Sequence, residues 1–374
     1  MTTAFTGAKV FDGLALHDDA VLVVDGPTVI GLAAGVPMDA DEIALNGGIL
    51  APGLLDLQVN GGGGLMIDGR TTVQDLRDIC DTHLRLGSTG VLPTLITDTA
   101  EATAKVIEAG IASTDMPGFL GLHLEGPHLD PRRKGAHDPG LIRPMEDEDL
   151  AMLVNAARRL PALMVTVAPS AVRPDQISAL AEAGAIVSLG HSDCTFAEAQ
   201  TAIAAGARCA THLFNAMSQL GNREPGLVGA VLANDIAAGL IADTIHVASA
   251  TLRIALAARP DGLFLVSDCM AAAGTDQTQF TLGGRTILRH DGRLTLKDGT
   301  LAGADLSLPQ AIAVMVHKIG LAPDRALAMA TRTPADVIGR NDLGRLTAGA
   351  RADLVHLTDT FQVKSVWQGG KKRL

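Results

Sequence analysis

The chain has 374 residues, of which 47% are hydrophobic and 19% are charged, and its formal net charge is −11. This length exceeds the size at which a single core usually stops growing, so we expect one large domain and a smaller one. The hydrophobic fraction excludes a largely disordered protein. The negative charge excludes nucleic acid as an expected partner, because binding a phosphate backbone needs a basic stripe.

The amino-terminal segment and the cysteines indicate the compartment. Residues 1–13 lack the basic segment and apolar run of a signal peptide, and no apolar stretch is long enough to span a bilayer. The four cysteines are scattered without C-x-x-C spacing, which favours buried, reduced thiols over disulfides. We therefore expect a cytoplasmic protein with no membrane partner.

The two ends of the chain share one character. The first fifty residues contain AKVFDG, AVLVVDG and TVIGLAAG, which alternate apolar and polar positions and end at glycines. The last thirty-five residues contain the similar segments ARADLVHLT and FQVKSVWQGGK. These patterns predict a small β-sandwich domain built from residues 1–50 and 341–374, with the larger domain, residues 51–340, inserted between them.

In the larger domain, apolar strand candidates alternate with alanine-rich helical segments, which is typical of βα units. The eight strand candidates are, in order, ILAPGLLDLQVN, GVLPTLIT, GFLGLHLEG, ALMVTVAP, AIVSLGHS, RCATHLFNA, IAAGLIADTIH and LFLVSDCM. The helices predicted between them include residues 71–85, 100–112, 147–159, 174–182 and 196–205. The pattern predicts an α/β protein with a (β/α)8 TIM barrel. An open doubly wound sheet has the same local pattern, although no dinucleotide-binding glycine fingerprint follows the first strand.

Side chains able to bind a metal or a proton fall at the ends of these strands. Glu125 ends the third candidate, His191 the fifth and His212 the sixth, while His246 follows the seventh and Asp268 the eighth. Catalytic groups of a barrel lie at the carboxyl ends of its strands. A polar side chain in an apolar run is costly without a partner, so these coincidences predict one shared site.

Three of these residues form a candidate metal site. Glu125, His191 and His212 offer one carboxylate oxygen and two imidazole nitrogens, which leaves a position open for water, as catalytic zinc sites require. Asp268 would lie beside that water as a general base. The alternative is that His191 and Asp268 only cap the helices that follow them.

His123 and Cys269 are neighbours of these candidates in the sequence. His123 lies two residues before Glu125, so both side chains face the same side of the strand. We expect His123 to make a supporting hydrogen bond rather than to bind a metal. Cys269 follows Asp268 and points to the opposite face, where we expect it to pack.

Longer motifs surround the candidate residues. They are PGLLDLQVNG (52–61), GLHLEGPHLDPRRKGAH (121–137), GHSDCT (190–195), THLFNAM (211–217), NREPGLVGA (222–230), ADTIHV (242–247), LVSDCMAAAG (265–274) and GTLAGADL (299–306). In this order, over nearly the whole chain, they resemble the N-acetylglucosamine-6-phosphate deacetylases, a branch of the amidohydrolase superfamily. The combination of HLEGP, GHS, THLFNAM and REPG is specific to that branch, whereas ADLV (352–355) identifies only the superfamily.

The resemblance implies a role for each matched residue. The implied metal ligands are Glu125, His191 and His212, and the implied catalytic acid and base is Asp268. His137 matches a histidine that contacts the substrate near the acetyl carbonyl. The implied contacts to sugar and phosphate are Asn215, Ala216, Arg223 and His246. In the family the last two come from the neighbouring subunit, so we expect a homodimer that shares Arg223 and His246 between sites.

The first strand departs from the common superfamily pattern. Many amidohydrolases carry His-x-His there, which holds a second metal ion, whereas this chain has Gln58 and Asn60. Amides are poorer transition-metal ligands than imidazole. We therefore expect one divalent metal ion per subunit, with zinc as the expected ion and other divalent transition metals as the alternatives.

The resemblance implies metal-dependent deacetylation of N-acetylglucosamine 6-phosphate to glucosamine 6-phosphate and acetate. Asp268 would take a proton from the attacking water and return it to the sugar amine. Other possible substrates are a different N-acetylated sugar phosphate, such as N-acetylgalactosamine 6-phosphate, or a cyclic ureide. The remaining alternative is a catalytically inactive binding protein. That alternative predicts loss of Asp268 or of a metal ligand, and all four residues are present.

Overall fold

A computed structural model describes residues 2–374 of the chain. The amino-terminal strands are β1 (Thr2–Thr6), β2 (Lys9–Phe11), β3 (Leu16–His17), β4 (Val21–Asp25), β5 (Thr28–Ala33), β6 (Asp41–Ala44) and β7 (Ile49–Pro52). Four of them form a sheet in the order β5-β4-β1-β6. Its buried face carries Phe5, whose ring lies edge-on to Trp367 near the other end of the chain, with 5.1 Å between the ring centroids.

The barrel strands follow. They are β8 (Leu54–Val59), then after the short hairpin β9 (Gly61–Gly62) and β10 (Leu65–Met66), β11 (Ser88–Ile96), β12 (Leu122–Glu125), β13 (Leu163–Val167), β14 (Ile186–Leu189), β15 (Cys209–Ala210), β16 (Ala237–Leu240) and β17 (Leu263–Leu265). From β8 to β17 each barrel strand pairs in parallel with the next.

Backbone hydrogen bonds close the barrel between its last and first strands. Asp268 N donates to Gln58 O at 3.0 Å, and Asn60 N donates to Cys269 O at 3.0 Å. The predicted (β/α)8 barrel is therefore confirmed, and the open-sheet alternative is wrong.

The helices agree with the predicted segments. They are α1 (Val73–Arg85), α2 (Ala100–Ile111), α3 (Asp147–Arg159), α4 (Pro174–Glu182), α5 (Phe196–Ala204), α6 (Gly226–Ala233), α7 (Ser249–Ala258), α8 (Leu308–Val314), α9 (Pro323–Ala328) and α10 (Arg332–Val337). Three starts have a clear cause, because the hydroxyls of Thr72, Thr99 and Thr195 each accept an N–H of the first turn. The predicted helices 147–159 and 174–182 match α3 and α4 at both ends.

A four-stranded antiparallel sheet between β17 and α8 was not predicted. This insertion sheet consists of β18 (Gln279–Leu282), β19 (Arg285–His290), β20 (Arg293–Thr295) and β21 (Leu301–Ala304). Its tight turns use Gly283 and Gly284, then Asp291 and Gly292, all with positive φ, as two-residue hairpin loops require. Ala304 N donates to the carbonyl oxygen of Asp268 at 2.8 Å, which fixes the sheet to the mouth of the barrel.

The carboxyl-terminal strands return to the amino-terminal ones. β22 (Leu354–Leu357), β23 (Val363–Gln368) and β24 (Lys371–Lys372) join a six-stranded sheet in the order β24-β23-β22-β7-β2-β3. Both chain ends therefore build one sheet, while the division at residues 50 and 340 stays a prediction. All four cysteines are buried and free. Within residues 2–374, no helix is long and apolar enough to cross a membrane.

Candidate metal centre and active site

Three of the predicted side chains meet at the carboxyl ends of β12, β14 and β15. Glu125 Oε1 lies 3.0 Å from His191 Nε2 and 2.9 Å from His212 Nε2, and the two Nε2 atoms are 3.1 Å apart. All three residues are buried. The structure thus brings the three predicted ligands together in one group that could hold a metal ion.

The hydrogen bond of His191 to the backbone indicates that the group of Glu125, His191 and His212 suits a cation. His191 Nδ1 lies 2.8 Å from the carbonyl oxygen of Arg133, which can only accept a hydrogen bond, so Nδ1 carries the proton. In the neutral ring, Nε2 then presents a lone pair towards the Glu125 carboxylate and His212 Nε2. Several lone pairs directed at one buried point are costly unless a cation lies between them. A carbonyl that orients a ligating imidazole through its other nitrogen is the usual support of a metal site.

The charges of the site shift the pKa values of its members. Burial raises the pKa of Glu125, but the imidazoles of His191 and His212 beside its carboxylate outweigh burial and hold that pKa well below its usual value. Burial lowers the pKa of His212, but the Glu125 carboxylate more than offsets this and raises it. Burial, with the negative charge of Glu125, raises the pKa of Asp268 to about 6. A carboxyl group with a pKa nearer neutrality can both accept and return a proton.

The backbone turns sharply just beyond the strands. His191, His212 and Asp268 have left-handed conformations, with φ of 45°, 30° and 49°. Residues other than glycine adopt this region rarely, at a cost of about 1–3 kcal/mol each, and do so mostly at functional sites. The turns direct these side chains into the mouth of the barrel. The capping alternative is wrong for His191, because Thr195 caps α5.

Asp268 is held by two amides on or next to the first barrel strand. Gln58 Nε2 donates to Asp268 Oδ1 at 3.1 Å, and Asn60 Nδ2 donates to the same oxygen at 2.8 Å. Gln58 Nε2 also lies 3.2 Å from Glu125 Oε2. From the sequence alone, Gln58 and Asn60 are recognised only as replacements for missing metal ligands. Their spacing of two, which sets both side chains on one face of a strand, was the signal for a shared role.

His137 lies against the metal-binding group, with 4.3 Å between its ring centroid and that of His191. The backbone N–H of Thr97 donates to His137 Nδ1 at 3.3 Å, and Thr97 Oγ1 is 2.8 Å from the same nitrogen. Burial, reinforced by His191, holds the pKa of His137 well below its usual value, so the ring is neutral. Since Nδ1 accepts, Nε2 carries the proton and can donate to a substrate oxygen.

A cavity of about 400 Å³ connects these groups. Besides the three candidate ligands, its wall includes Asn60, His137, Asn215, Ala216, His246 and Asp268. Leu301, the first residue of β21 in the insertion sheet, and the preceding Thr300 also line it. Within the described residues 2–374, no lysine or arginine lines this cavity.

The residues expected at the phosphate occupy different places. Asn215 and Ala216 lie on the cavity wall, whereas Arg223 is exposed and is not part of it. His246 lines the cavity of its own chain, and its Nδ1 lies 2.6 Å from Asp243 Oδ2. Its side chain is only 7% exposed. His246 follows β16 and lines the mouth of its own barrel, and the expectation that it serves a neighbouring subunit stays a prediction.

A chain of buried hydroxyl groups lies below the candidate ligands. Ser188 Oγ is 2.7 Å from Thr211 Oγ1, which is 2.6 Å from Thr166 Oγ1, and this in turn is 2.7 Å from His123 Nε2. His123 Nδ1 donates to the carbonyl oxygen of Leu57 at 3.1 Å, so Nε2 accepts. Burial lowers the pKa of His123 to about 4, which keeps the ring neutral. The predicted supporting hydrogen bond of His123 is confirmed.

Known proteins share this architecture and sequence. The model of the Amidohydrolase family matches residues 49–373. The chain is 37% identical over 373 residues to N-acetylgalactosamine-6-phosphate deacetylase of Shewanella sp.. The aligned region covers 98% of this chain and 94% of that protein. It is 33% identical over 371 residues to N-acetylglucosamine-6-phosphate deacetylase of Haemophilus influenzae, and the aligned region covers 94% of each of the two chains. The crystal structure of N-acetylglucosamine-6-phosphate deacetylase from Pasteurella multocida matches with a TM-score of 0.96 and 34% identity over the whole of both chains. The chain therefore belongs to the amidohydrolase family of metal-dependent hydrolases.

Proposed function

We propose that the protein hydrolyses the acetamide of N-acetylglucosamine 6-phosphate and releases glucosamine 6-phosphate and acetate. The observation that carries this proposal is the position of Asp268, a buried carboxyl group held by two amides, in one cavity with the Glu125, His191 and His212 group. The relatives named as deacetylases of two N-acetylhexosamine 6-phosphates support the substrate class, since each aligns over nearly its whole length.

The proposed enzyme holds one divalent ion per chain, and zinc is the ion that we propose. Glu125, His191 and His212 would bind it, and such an ion supplies Lewis-acid activation of the water and of the amide carbonyl. Gln58 and Asn60 donate to Asp268 from the strand where other amidohydrolases carry His-x-His. An amide engaged in this way is a poor ligand for a second transition-metal ion.

Asp268 would carry the proton in both halves of the reaction. Its Oδ1 accepts the two amide N–H groups, so Oδ2 is the oxygen that would take the proton of the attacking water. When the C–N bond breaks, Asp268 returns that proton to nitrogen, and the sugar leaves as a neutral amine. His137, protonated on Nε2, donates to the carbonyl oxygen as negative charge develops there.

The phosphate would be bound by both chains of a homodimer. Asn215, Ala216 and His246 line the cavity of the same chain. Arg223 is exposed, and we propose that it reaches the phosphate in the neighbouring subunit. A guanidinium group suits this role, because its planar fork pairs with two phosphate oxygens at once.

The second candidate substrate is the 4-epimer, N-acetylgalactosamine 6-phosphate. The specific observation in its favour is the 37% identity to a relative named as the deacetylase of that sugar. The scissile amide and the phosphate are the same in both sugars. The chemistry proposed above therefore applies to either epimer.

Acetate release by the metal-loaded protein tests the proposal. The substrates are the two N-acetylhexosamine 6-phosphates and, as a control, N-acetylglucosamine without phosphate. We expect release from N-acetylglucosamine 6-phosphate, and the ratio of the two kcat/KM values decides which epimer is preferred. Absence of release from both phosphorylated sugars would contradict the proposed activity.

A further inference from the structure

One side-chain atom of Asn60 has no protein partner although the residue is only 1% exposed. Asn60 Nδ2 donates to Asp268 Oδ1 at 2.8 Å. This bond fixes which way the amide faces, because an amide oxygen turned towards the carboxylate would be repelled. Asn60 Oδ1 is then left without a hydrogen-bond partner within residues 2–374, the part of the chain that is described. A buried acceptor in this state points to a donor that comes from a ligand.

Asn60 faces the space in which the reacting amide must lie. It lines the same cavity as Glu125 and Asp268. The acetamide offers an acceptor, its carbonyl oxygen, and one donor, its N–H group. Because Asp268 must reach the nitrogen to protonate it, and Asn60 is bonded to Asp268, the N–H group is the donor closest to Asn60.

We propose that Asn60 Oδ1 accepts the N–H hydrogen of the scissile amide and so turns the nitrogen lone pair towards Asp268. This inference rests on the proposed deacetylation. It makes Asn60 a catalytic residue that contacts the substrate, besides its bond to Asp268.

The geometry matters when the C–N bond breaks. After water has added to the carbonyl carbon, the nitrogen is pyramidal and its lone pair can point to either side. A hydrogen bond from N–H to Asn60 selects the side that faces Asp268. The proton then moves from Asp268 to nitrogen, the electron pair of the C–N bond goes to nitrogen, and the carbonyl of acetate forms again. The hydrogen bond from the N–H group to Asn60 Oδ1 stays intact throughout, so Asn60 neither takes up nor releases a proton.

The test compares an amide with an ester in the same variants. The substrates are the methyl glycoside of N-acetylglucosamine 6-phosphate and its 2-O-acetyl counterpart, in which an ester oxygen replaces the N–H group. Asn60→Ala removes the acceptor and one donor to Asp268. Loss of the Nδ2 donor to Asp268 slows hydrolysis of both substrates, whereas loss of the Oδ1 acceptor slows hydrolysis of the amide only. Gln58→Ala is the matched control, because Gln58 also donates to Asp268.

We expect the ratio of kcat/KM for amide over ester to fall by about tenfold or more in Asn60→Ala, as for loss of one hydrogen bond. In Gln58→Ala hydrolysis of both substrates should slow to a similar extent, and the amide-to-ester ratio of kcat/KM should change by less than about twofold. A ratio within one preparation does not depend on the fraction of folded protein. Bound metal is measured on the same samples.

Two results would overturn the inference and leave the proposed function intact. One is an unchanged ratio in Asn60→Ala, which would restrict Asn60 to supporting Asp268. The other is loss of bound metal from Asn60→Ala, which would make Asn60 part of the metal site. Failure of the wild-type protein to release acetate from the amide would instead reject the proposed function itself.

Discussion

Two halves of the active site are built in different ways. The metal half consists of Glu125, His191 and His212, and the proton-transfer half consists of Gln58, Asn60 and Asp268. The contacts of the metal half join residues at most 87 positions apart, on three strands close together in the barrel. Those of the proton-transfer half join Asp268 to residues 208 and 210 positions away. Gln58 Nε2 joins the two halves through Glu125 Oε2, but the metal ligands and the proton acceptor are different side chains. We therefore expect mutation to separate metal binding from proton transfer.

The largest effect is expected in the metal half. His212→Ala should remove bound metal and lower turnover by roughly 10⁴-fold or more, because the cation supplies several kcal/mol of transition-state stabilisation. Elemental analysis and acetate release on the same sample check this, with about one ion per chain expected for the wild type. His17→Ala, which changes a histidine in the terminal sheets, is the control and should keep both. Metal retained by His212→Ala, or two tightly bound ions in the wild type, would contradict the assignment.

A smaller effect is expected in the proton-transfer half. Asp268→Asn keeps the size of the side chain but cannot take up the proton of water, so turnover should fall by roughly 10²–10⁴-fold. Metal content and KM should stay near those of the wild type, which separates this variant from His212→Ala. If turnover stayed near normal, another group would be the proton acceptor.

Arg223 should affect binding more than chemistry. Arg223→Ala should raise KM for the phosphorylated sugar by about 30-fold, which corresponds to about 2 kcal/mol for a charge-assisted contact. Hydrolysis of N-acetylglucosamine without phosphate should change little, and bound metal should be unaffected. Steady-state kinetics on the two substrates check this.

Mixed dimers show whether Arg223 acts in its own chain. Arg223→Ala supplies an intact Asp268, and Asp268→Asn supplies an intact Arg223, so a mixed dimer contains one complete site. Subunit exchange between the two variants should restore activity up to one working site per dimer. If exchange is demonstrated and activity does not return, Arg223 acts within its own chain. Full activity in a monomer would exclude the shared site.

The smallest effect is expected below the metal half, in the hydroxyl chain. Thr211→Val leaves the hydroxyls of Thr166 and Ser188 without their shared partner, so the free energy of unfolding should fall by about 1–3 kcal/mol. Thr211→Ser keeps the hydroxyl and should lose less. Denaturant titration measures both, and metal content should be retained in each. Equal stability of the two variants would show that the hydroxyl chain adds nothing.

The barrel and the metal half could be predicted because their signals are local. Each barrel strand is a short apolar run, and Glu125, His191 and His212 each stand out at the end of one. The insertion sheet was missed, although the G-G and D-G pairs at 283–284 and 291–292 are the residues that hairpin turns demand. Its short strands are only partly buried, so they lack the apolar runs that marked the barrel.

The rest of the site depends on where distant parts of the chain meet. That Gln58 and Asn60 donate to Asp268 follows from closure of the barrel, which no local pattern contains. The direction of the His137 ring depends on Thr97, 40 positions earlier. For His246, the resemblance implied a contact in the neighbouring subunit, and only the fold shows that its side chain also lines the cavity of its own chain.

The joint between β17 and β8 also bears on the order in which the protein folds. Bringing together ends that are some 200 residues apart costs conformational entropy before any contact compensates for it. The adjacent strands β12 to β15 close much shorter loops, so they are the parts that can pair early. Asp268 gains the two amides that orient it only when the last strand meets the first. A folding intermediate in which the last strand has not yet paired with the first would have its three metal ligands assembled. In that intermediate Asp268 would not yet be oriented by Gln58 and Asn60.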